Sequence, residues 1–271
     1  MKQNSGPVAI VTGATAGIGL ATANLLGREG YTVYGTSRRP ESGSQNGTAM
    51  LPCDVTSDES VASVIAEVLQ RSGRIDVIVN NAGFGLIAGA EESSIEQVKA
   101  LFDVNVFGAM RMTNHVLPVM RRQRNGRVIN ISSVLGFVPG LYYGIYSATK
   151  HAIDGYSQSL DHEVRGFGIR VIAVEPAITR TSFEKNMMAP DKPLEIYSAA
   201  RNSIIEVSRR MVDQGDAPEV VARVVLKAAR DPKPCLRYPA GPAARQLTLL
   251  RRILPEQMLN NILRKQFQLP A

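Results

Sequence analysis

Cysteine is scarce: the 271 residues hold only Cys53 and Cys235, too few for a disulfide framework. Histidine is nearly as rare. His115, His151 and His162 are scattered, and without a Cys/His cluster at ligand spacing no catalytic metal is expected. No apolar stretch is long enough to cross a bilayer and no secretory pattern precedes Val8, so the expected setting is cytoplasmic. Internal repeats and low-complexity tracts are missing. Basic residues are not interleaved with aromatics and accompany no nucleic-acid motif, which argues against a nucleic-acid partner.

What the chain has is a continuous alternation of strand and helix patterns, at a length that favours one domain over residues 1–271. Its charge is uneven. After Arg230 seven basic residues face Asp231 and Glu256, so five of the seven net positive charges lie in the last part of the chain. A solvated face is the first reading of that excess, and attraction to anionic lipid or an acidic partner the second.

The run Val8-Ala9-Ile10-Val11-Thr12 breaks into Gly13-Ala14-Thr15-Ala16-Gly17-Ile18-Gly19 and then into a helical pattern through Arg28. This predicts strand, tight turn and helix, with the helix N-terminus offering free amides to a pyrophosphate. Further strands are expected over 31–36, 50–53, 75–80, 127–132 and 169–175, with a polar loop over 40–47. Thr56 with Glu59, and Ser93 with Glu96, have the spacing of capping boxes. Parallel strands joined by helices collect their ligands at the carboxyl ends, where the glycine motif, Asn81, Ser133, Tyr146 and Pro176 all fall.

Tyr146 and Lys150 stand four residues apart, which places a phenol and an ammonium on one face of a helix. A nearby positive charge favours the phenolate, so the pair can make an acid tuned toward working pH. Ser133, thirteen residues upstream of Tyr146, adds a hydroxyl for an oxygen that gains charge. Ser132 is its rival, but strand neighbours face opposite sides, so only one reaches the pocket.

Thr12-Gly13-x-x-x-Gly17-Ile18-Gly19, Asp54-Val55, Asn80-Asn81-Ala82-Gly83, Asn105, Ser133, Tyr146-x-x-x-Lys150 and the segment Pro176 to Thr181 resemble, in order, the motifs of the short-chain dehydrogenase/reductase family in its single-domain branch. The resemblance implies an α/β fold, a Rossmann-like doubly wound parallel sheet with helices on both faces, here with a helical C-terminal extension over 240–271. It implies hydride transfer between a nicotinamide dinucleotide and an alcohol or carbonyl compound, by a homo-oligomer. Ser133 would hold the substrate oxygen and Tyr146 exchange its proton. Lys150 would bind the nicotinamide ribose and lower the tyrosine pKa, and Asn105 would support a proton relay. Gly13, Thr15, Gly17, Ile18 and Gly19 would cradle the dinucleotide, Asp54 and Val55 border the adenine, and Asn81, Ala82 and Gly83 support the pocket. Pro176 and Thr181 would lie beside the nicotinamide, although Ala177 replaces the usual glycine.

Ser37 stands at the end of the second strand, where a carboxylate would repel a phosphate, and Arg38 and Arg39 follow it. This favours NADP(H) over NAD(H), because guanidinium donors suit a 2′-phosphate. Substrate contacts are expected from Ser133, Leu135, Tyr142, Tyr143, Phe183 and Met187, with Phe137, Leu194, Ile196 and the region 181–215 also in play. These are mostly apolar, which suggests a hydrophobic alcohol or ketone. Beyond Ala240 two short helical patterns broken at Pro255 read first as a lid or packing helix and second as a peripheral membrane contact. The rival function is an NADP(H)-binding regulatory or scaffold protein without significant turnover.

Overall fold

A computed structural model describes residues 6–39, 44–45, 47–183 and 186–266, so the polar loop expected over 40–47 lies largely outside the described residues. Strands β1 (Val8–Thr12), β2 (Thr32–Ser37), β3 (Ser44–Gln45), β4 (Thr48–Pro52), β5 (Val77–Asn80), β6 (Gly126–Ile131), β7 (Ile169–Pro176) and β8 (Arg237–Ala240) form one sheet. Its order is β3-β4-β2-β1-β5-β6-β7-β8. All neighbours pair in parallel except β3, which runs antiparallel on the edge. The chain steps outward from β1 one way, returns to β5 and steps outward the other way. The loops after β1 and β5 therefore part, leaving a crevice at the carboxyl ends.

β1 explains the layering. Every residue of it is buried, and alternate side chains enter opposite cores. Val8 and Ile10 join Val61 and Val64 of α2 (Asp58–Ser72), Met112 and Val116 of α4 (Gly108–Gln123) and Leu160 of α5 (Gly144–Val164). Ala9 and Val11 join Ala23 and Leu26 of α1 (Gly17–Arg28) and Val221 and Val225 of α7 (Pro218–Arg230). Helices thus cover both faces of the sheet. No helix among the described residues is long and apolar enough to cross a membrane.

Neither expected capping box forms, and each helix is capped one residue later. Ser57, not Thr56, caps α2 and accepts from Ser60 N at 3.2 Å, because the Thr56 hydroxyl is committed to Asp54 Oδ1 at 2.7 Å. Ser94, not Ser93, caps α3 (Ile95–Phe102), accepting from Gln97 N at 3.1 Å. The expected strands over 50–53 and 75–80 become Thr48–Pro52 and Val77–Asn80. β8 has no counterpart among the expected strands. Its Arg-Tyr-Pro-Ala sequence is a poor strand pattern, but an edge position beside β7 tolerates the proline. Much of region 181–215 is not loop but helix α6 (Glu195–Asp213). The C-terminal extension is helical as expected, α8 (Pro242–Ile253) and α9 (Glu256–Gln266) meeting at Pro255.

Candidate active site

At the end of β1 the Thr12 hydroxyl accepts from Asn81 N and Ala82 N, both at 2.9 Å. The Asn81 side chain returns two bonds, to Thr12 O at 2.8 Å and Gly13 O at 3.1 Å. The two loops that part at the crevice are thereby tied together at their roots. Gly13 has φ +65° and Gly17 φ +55°, conformations that favour glycine. A Cβ on Gly19 would collide with the Gly13 carbonyl oxygen, and one on Gly17 would stand 3.1 Å from Thr181. The loop after β7 thus brings Thr181 over the start of α1, near Ile18, while Thr15 is exposed at the tip of the glycine turn. No side chain caps α1, so its first amides face the crevice uncapped.

Ser37 ends β2 with a buried hydroxyl that has no hydrogen-bond partner among the described residues, and exposed Arg38 and Arg39 follow. Bonds from the Thr56 amide and hydroxyl, helped by Arg38, hold the Asp54 carboxyl below its usual range. The Val55 side chain packs against Gly108, where a Cβ would come within 2.7 Å of it. A buried unpartnered hydroxyl, left-handed glycines and uncapped helix amides beside two arginines fit the diphosphate and ribose of a dinucleotide. Ala177 needs no glycine conformation, since Arg124 and Tyr142 alone among described non-glycine residues have positive φ. The glycine replaced here is therefore not required by the backbone path to Pro176 and Thr181.

On the other side of the crevice, Asn105 lies in a π-helical turn (Asp103–Phe107), an irregularity frequent at functional sites. Its amide accepts from Phe84 N at 3.1 Å and donates to Phe84 O at 2.9 Å and to Thr149 Oγ1 of α5 at 3.3 Å. Gly83 leaves room for it, because a Cβ there would sit 2.9 Å from Asn105 Oδ1. Ser133 follows β6, and its hydroxyl accepts from Leu135 N at 3.1 Å. Lys150 Nζ donates to Ile131 O at 2.9 Å and lies 5.5 Å from the centroid of the Tyr146 ring.

The electrostatics differ from the expected tuning. Burial pushes the Tyr146 phenol well up, Tyr143 adds to this, and the Ser133 hydroxyl pulls the other way. Lys150 is pushed down to about 8 by burial, with Asp154 opposing. The spacing of tyrosine and lysine predicts attraction between them, but the sequence alone did not show how deeply α5 buries both. Burial thus favours the neutral phenol.

Leu135, Tyr142, Phe183 and Met187 pack in an apolar cluster with Tyr143, Tyr146, Leu86 and Ile204. The Tyr146 ring lies 5.9 Å from Phe183 and 6.3 Å from Tyr143, centroid to centroid. Tyr143 is largely committed to packing, with its hydroxyl donating to Ser208 at 3.0 Å. Ile196 is exposed, Leu194 sits on the surface, and Phe137 belongs to a separate cluster with Val138, so these three leave the expected substrate set. The sequence reading missed Glu92. Fully buried, it accepts from Gly89 N at 2.6 Å and Leu194 N at 2.9 Å and pairs with Arg201 of α6, fastening the far wall of the crevice. No local pattern marks that pair. Ser94 hints at the neighbouring clamp, in which it bonds Asp191 while Gln97 bonds Ala189 O at 2.8 Å.

A doubly wound sheet with a glycine turn at its switch point and a buried phenol–ammonium pair opposite defines a dinucleotide-binding oxidoreductase. The short chain dehydrogenase family model matches residues 7–192, and the chain belongs to that family, whose members use nicotinamide cofactors. It is 34% identical over 260 residues to a 3-ketodihydrosphingosine reductase of Bacteroides thetaiotaomicron, covering 95% of this chain and 96% of the relative. A short-chain dehydrogenase structure from Streptomyces avermitilis superposes with TM-score 0.82 at 32% identity, covering 99% of this chain and 97% of the other. The closed form of a serine dehydrogenase complexed with NADP+ superposes with TM-score 0.71 at 27% identity, covering 85% of this chain and 93% of the other.

Proposed function

We propose that this protein interconverts a hydrophobic secondary alcohol and its carbonyl compound with NADP(H), as a homo-oligomer. The carrying observation is the position of the Tyr146 phenol, buried against an apolar wall with Ser133 and Lys150 converging on it. Bound nicotinamide supplies or accepts the hydride. As a carbonyl carbon gains hydride its oxygen gains charge, and Ser133 donates a hydrogen bond to that oxygen while Tyr146 gives it the proton. Burial keeps Tyr146 protonated until then, and the Lys150 ammonium stabilises the phenolate that results. In the oxidative direction the same phenolate takes the proton back. Asn105, pinned by Phe84 and Thr149, holds the start of α4 against α5.

Arg38, beside the unpartnered Ser37 hydroxyl, is the clamp for the 2′-phosphate, and its planar donors make the NADP(H) preference. An apolar wall of Leu135, Tyr142, Phe183 and Met187 suits a ketone on an extended apolar body rather than a sugar. The name of the Bacteroides relative, a reductase of a keto compound, supports the same class. A panel of apolar ketones, aldehydes and secondary alcohols followed by NADPH absorbance tests this. Consumption of NADPH with apolar ketones is expected, and NADPH binding without turnover across the panel defeats it.

A further inference from the structure

One turn beyond Lys150 on the same face of α5 lies Asp154, only 3% exposed. Arg237, at the start of β8, donates to Asp154 Oδ2 at 3.0 Å and from Nε to Glu175 of β7, itself 1% exposed. Two buried carboxyl groups thus share one guanidinium, which also stacks 5.1 Å from the centroid of Phe137. Gly136 closes the wall, since a Cβ there would collide with Asp154 Oδ2 and stand 3.0 Å from Ser132 Oγ. Asp154 Oδ1 is buried with no hydrogen-bond partner among the described residues. Two carboxyls here face one guanidinium and crowd each other's charge, and the one on the face of α5 that carries Lys150 is Asp154. Among the described residues the buried cation beside them is Lys150, while His151, also facing Asp154, is on the exposed side of α5.

We propose that Asp154, held by Arg237 and backed by Glu175, is a positioning residue, the internal counter-ion that keeps the Lys150 ammonium charged where burial would discharge it. This rests on the reading of Lys150 as the charged partner of Tyr146. The electrostatics agree in sign: burial pushes Lys150 down to about 8, and Asp154 holds it up. Glu175 is pushed up to about 7, first by burial and then by Asp154, against the pull of Arg237. Burial also raises the Asp154 carboxyl, but Ser132, Arg237, Lys150 and His151 all oppose it, whereas Asp154 raises Glu175 further, so the proton that two crowded carboxyls cannot both lose favours Glu175.

The sign of the test follows. Removing the Asp154 charge lowers the Lys150 midpoint, so activity that needs the ammonium is lost at a lower pH. Lysine Cε carbons labelled with 13C report the titration by NMR, and the Lys150 signal is the one missing in Lys150→Met. Asp154→Asn should move that midpoint down by about one pH unit, tenfold in proton affinity, and carry the alkaline limb of kcat with it. Glu175→Gln, which leaves Asp154 ionised beside Arg237, should move it less. If Asp154→Asn does not fold, Asp154→Ser removes the same charge. An unmoved Lys150 midpoint, or an equal shift in Ser157→Ala, a buried uncharged neighbour on α5, overturns the proposal. The NMR titration needs neither substrate nor cofactor. A parent protein that consumes no NADPH would defeat the functional reading separately, with the counter-ion test still decided by the Lys150 midpoint.

Discussion

Around Gly13 the crevice is held by bonds between side chain and backbone: the Thr12 hydroxyl and the Asn81 amide tie together two adjacent strand ends, and Gly19 admits no side chain at all. Around Tyr146 it is held by side chains from segments far apart, Glu92 with Arg201, Ser94 with Asp191, and Tyr197 with Glu91 at 2.5 Å. On the proposed reading the first wall takes what never changes, a diphosphate, and close backbone approach suits it. The second wall is a set of interchangeable anchors under an apolar lining, an arrangement that can vary its substrate while the fold stays put. Tyr142 marks the change of regime, a non-glycine residue at φ +63° on the substrate side with its ring 6.2 Å from Tyr197.

If the two walls are as separate as this, losing the acid between them should stop the chemistry and spare both. Tyr146→Phe should lower kcat by about a thousandfold with NADPH affinity retained. Steady-state rates and fluorescence titration together decide it, and undiminished rates would remove Tyr146 from the acid role.

Glu92→Gln attacks the substrate wall alone. Leaving Arg201 without its buried partner should cost about 3 kcal/mol in denaturant unfolding while NADPH still binds. Burial pushes the Glu92 carboxyl up, but bonds from Leu194, Gly89 and Arg201 outweigh it and leave the group below its usual range. Its stabilisation is therefore complete above the carboxylate's unfolded pKa and is lost as pH falls through the depressed folded one. The difference in stability between parent and variant should be full at neutral pH and shrink on acidification.

Arg38→Ala attacks the dinucleotide wall. NADPH affinity should fall by about 2 kcal/mol, some thirtyfold, with NADH affinity unchanged. Equal losses for both cofactors would show that Arg38 is no phosphate clamp, and a parent preferring NADH would overturn the cofactor assignment.

The smallest effect belongs to the C-terminal helices. Leu249 and Ile253 of α8 are 57% and 67% exposed, and α9 carries Met258 and Ile262 outward too. Ending the chain after Leu254 should change stability by less than about 0.5 kcal/mol and leave NADPH affinity alone. A raised KM for bulky substrates would then identify α9 as a lid. Salt-sensitive binding of the full chain to anionic vesicles, lost on truncation, would identify it as a membrane contact.

The asymmetry between the walls also governs what could be read in advance. The glycine turn, the strand patterns of β1 and β5 and the Tyr146–Lys150 spacing are local, and local rules of backbone sterics and helix periodicity reach them. The caps fell one residue later than the spacing predicts: Thr56 is drawn away to Asp54, and Ser94 caps α3 while also bonding Asp191, contacts that no spacing rule contains. β8 failed because its strand character comes from β7 beside it and not from its own residues.

The sequence by itself determined the alternation of strand and helix and the residues at the carboxyl ends of the strands, since these depend on neighbours within a few positions, and the order of its motifs pointed to the family. Only the tertiary structure decided the charge states. Whether Tyr146 is tuned toward its anion or held protonated depends on how much protein surrounds it, and whether Lys150 keeps its charge depends on Asp154, Glu175 and Arg237 arriving from three separate elements. Solvation and long-range charge are properties of packed volume, and a linear pattern does not contain them.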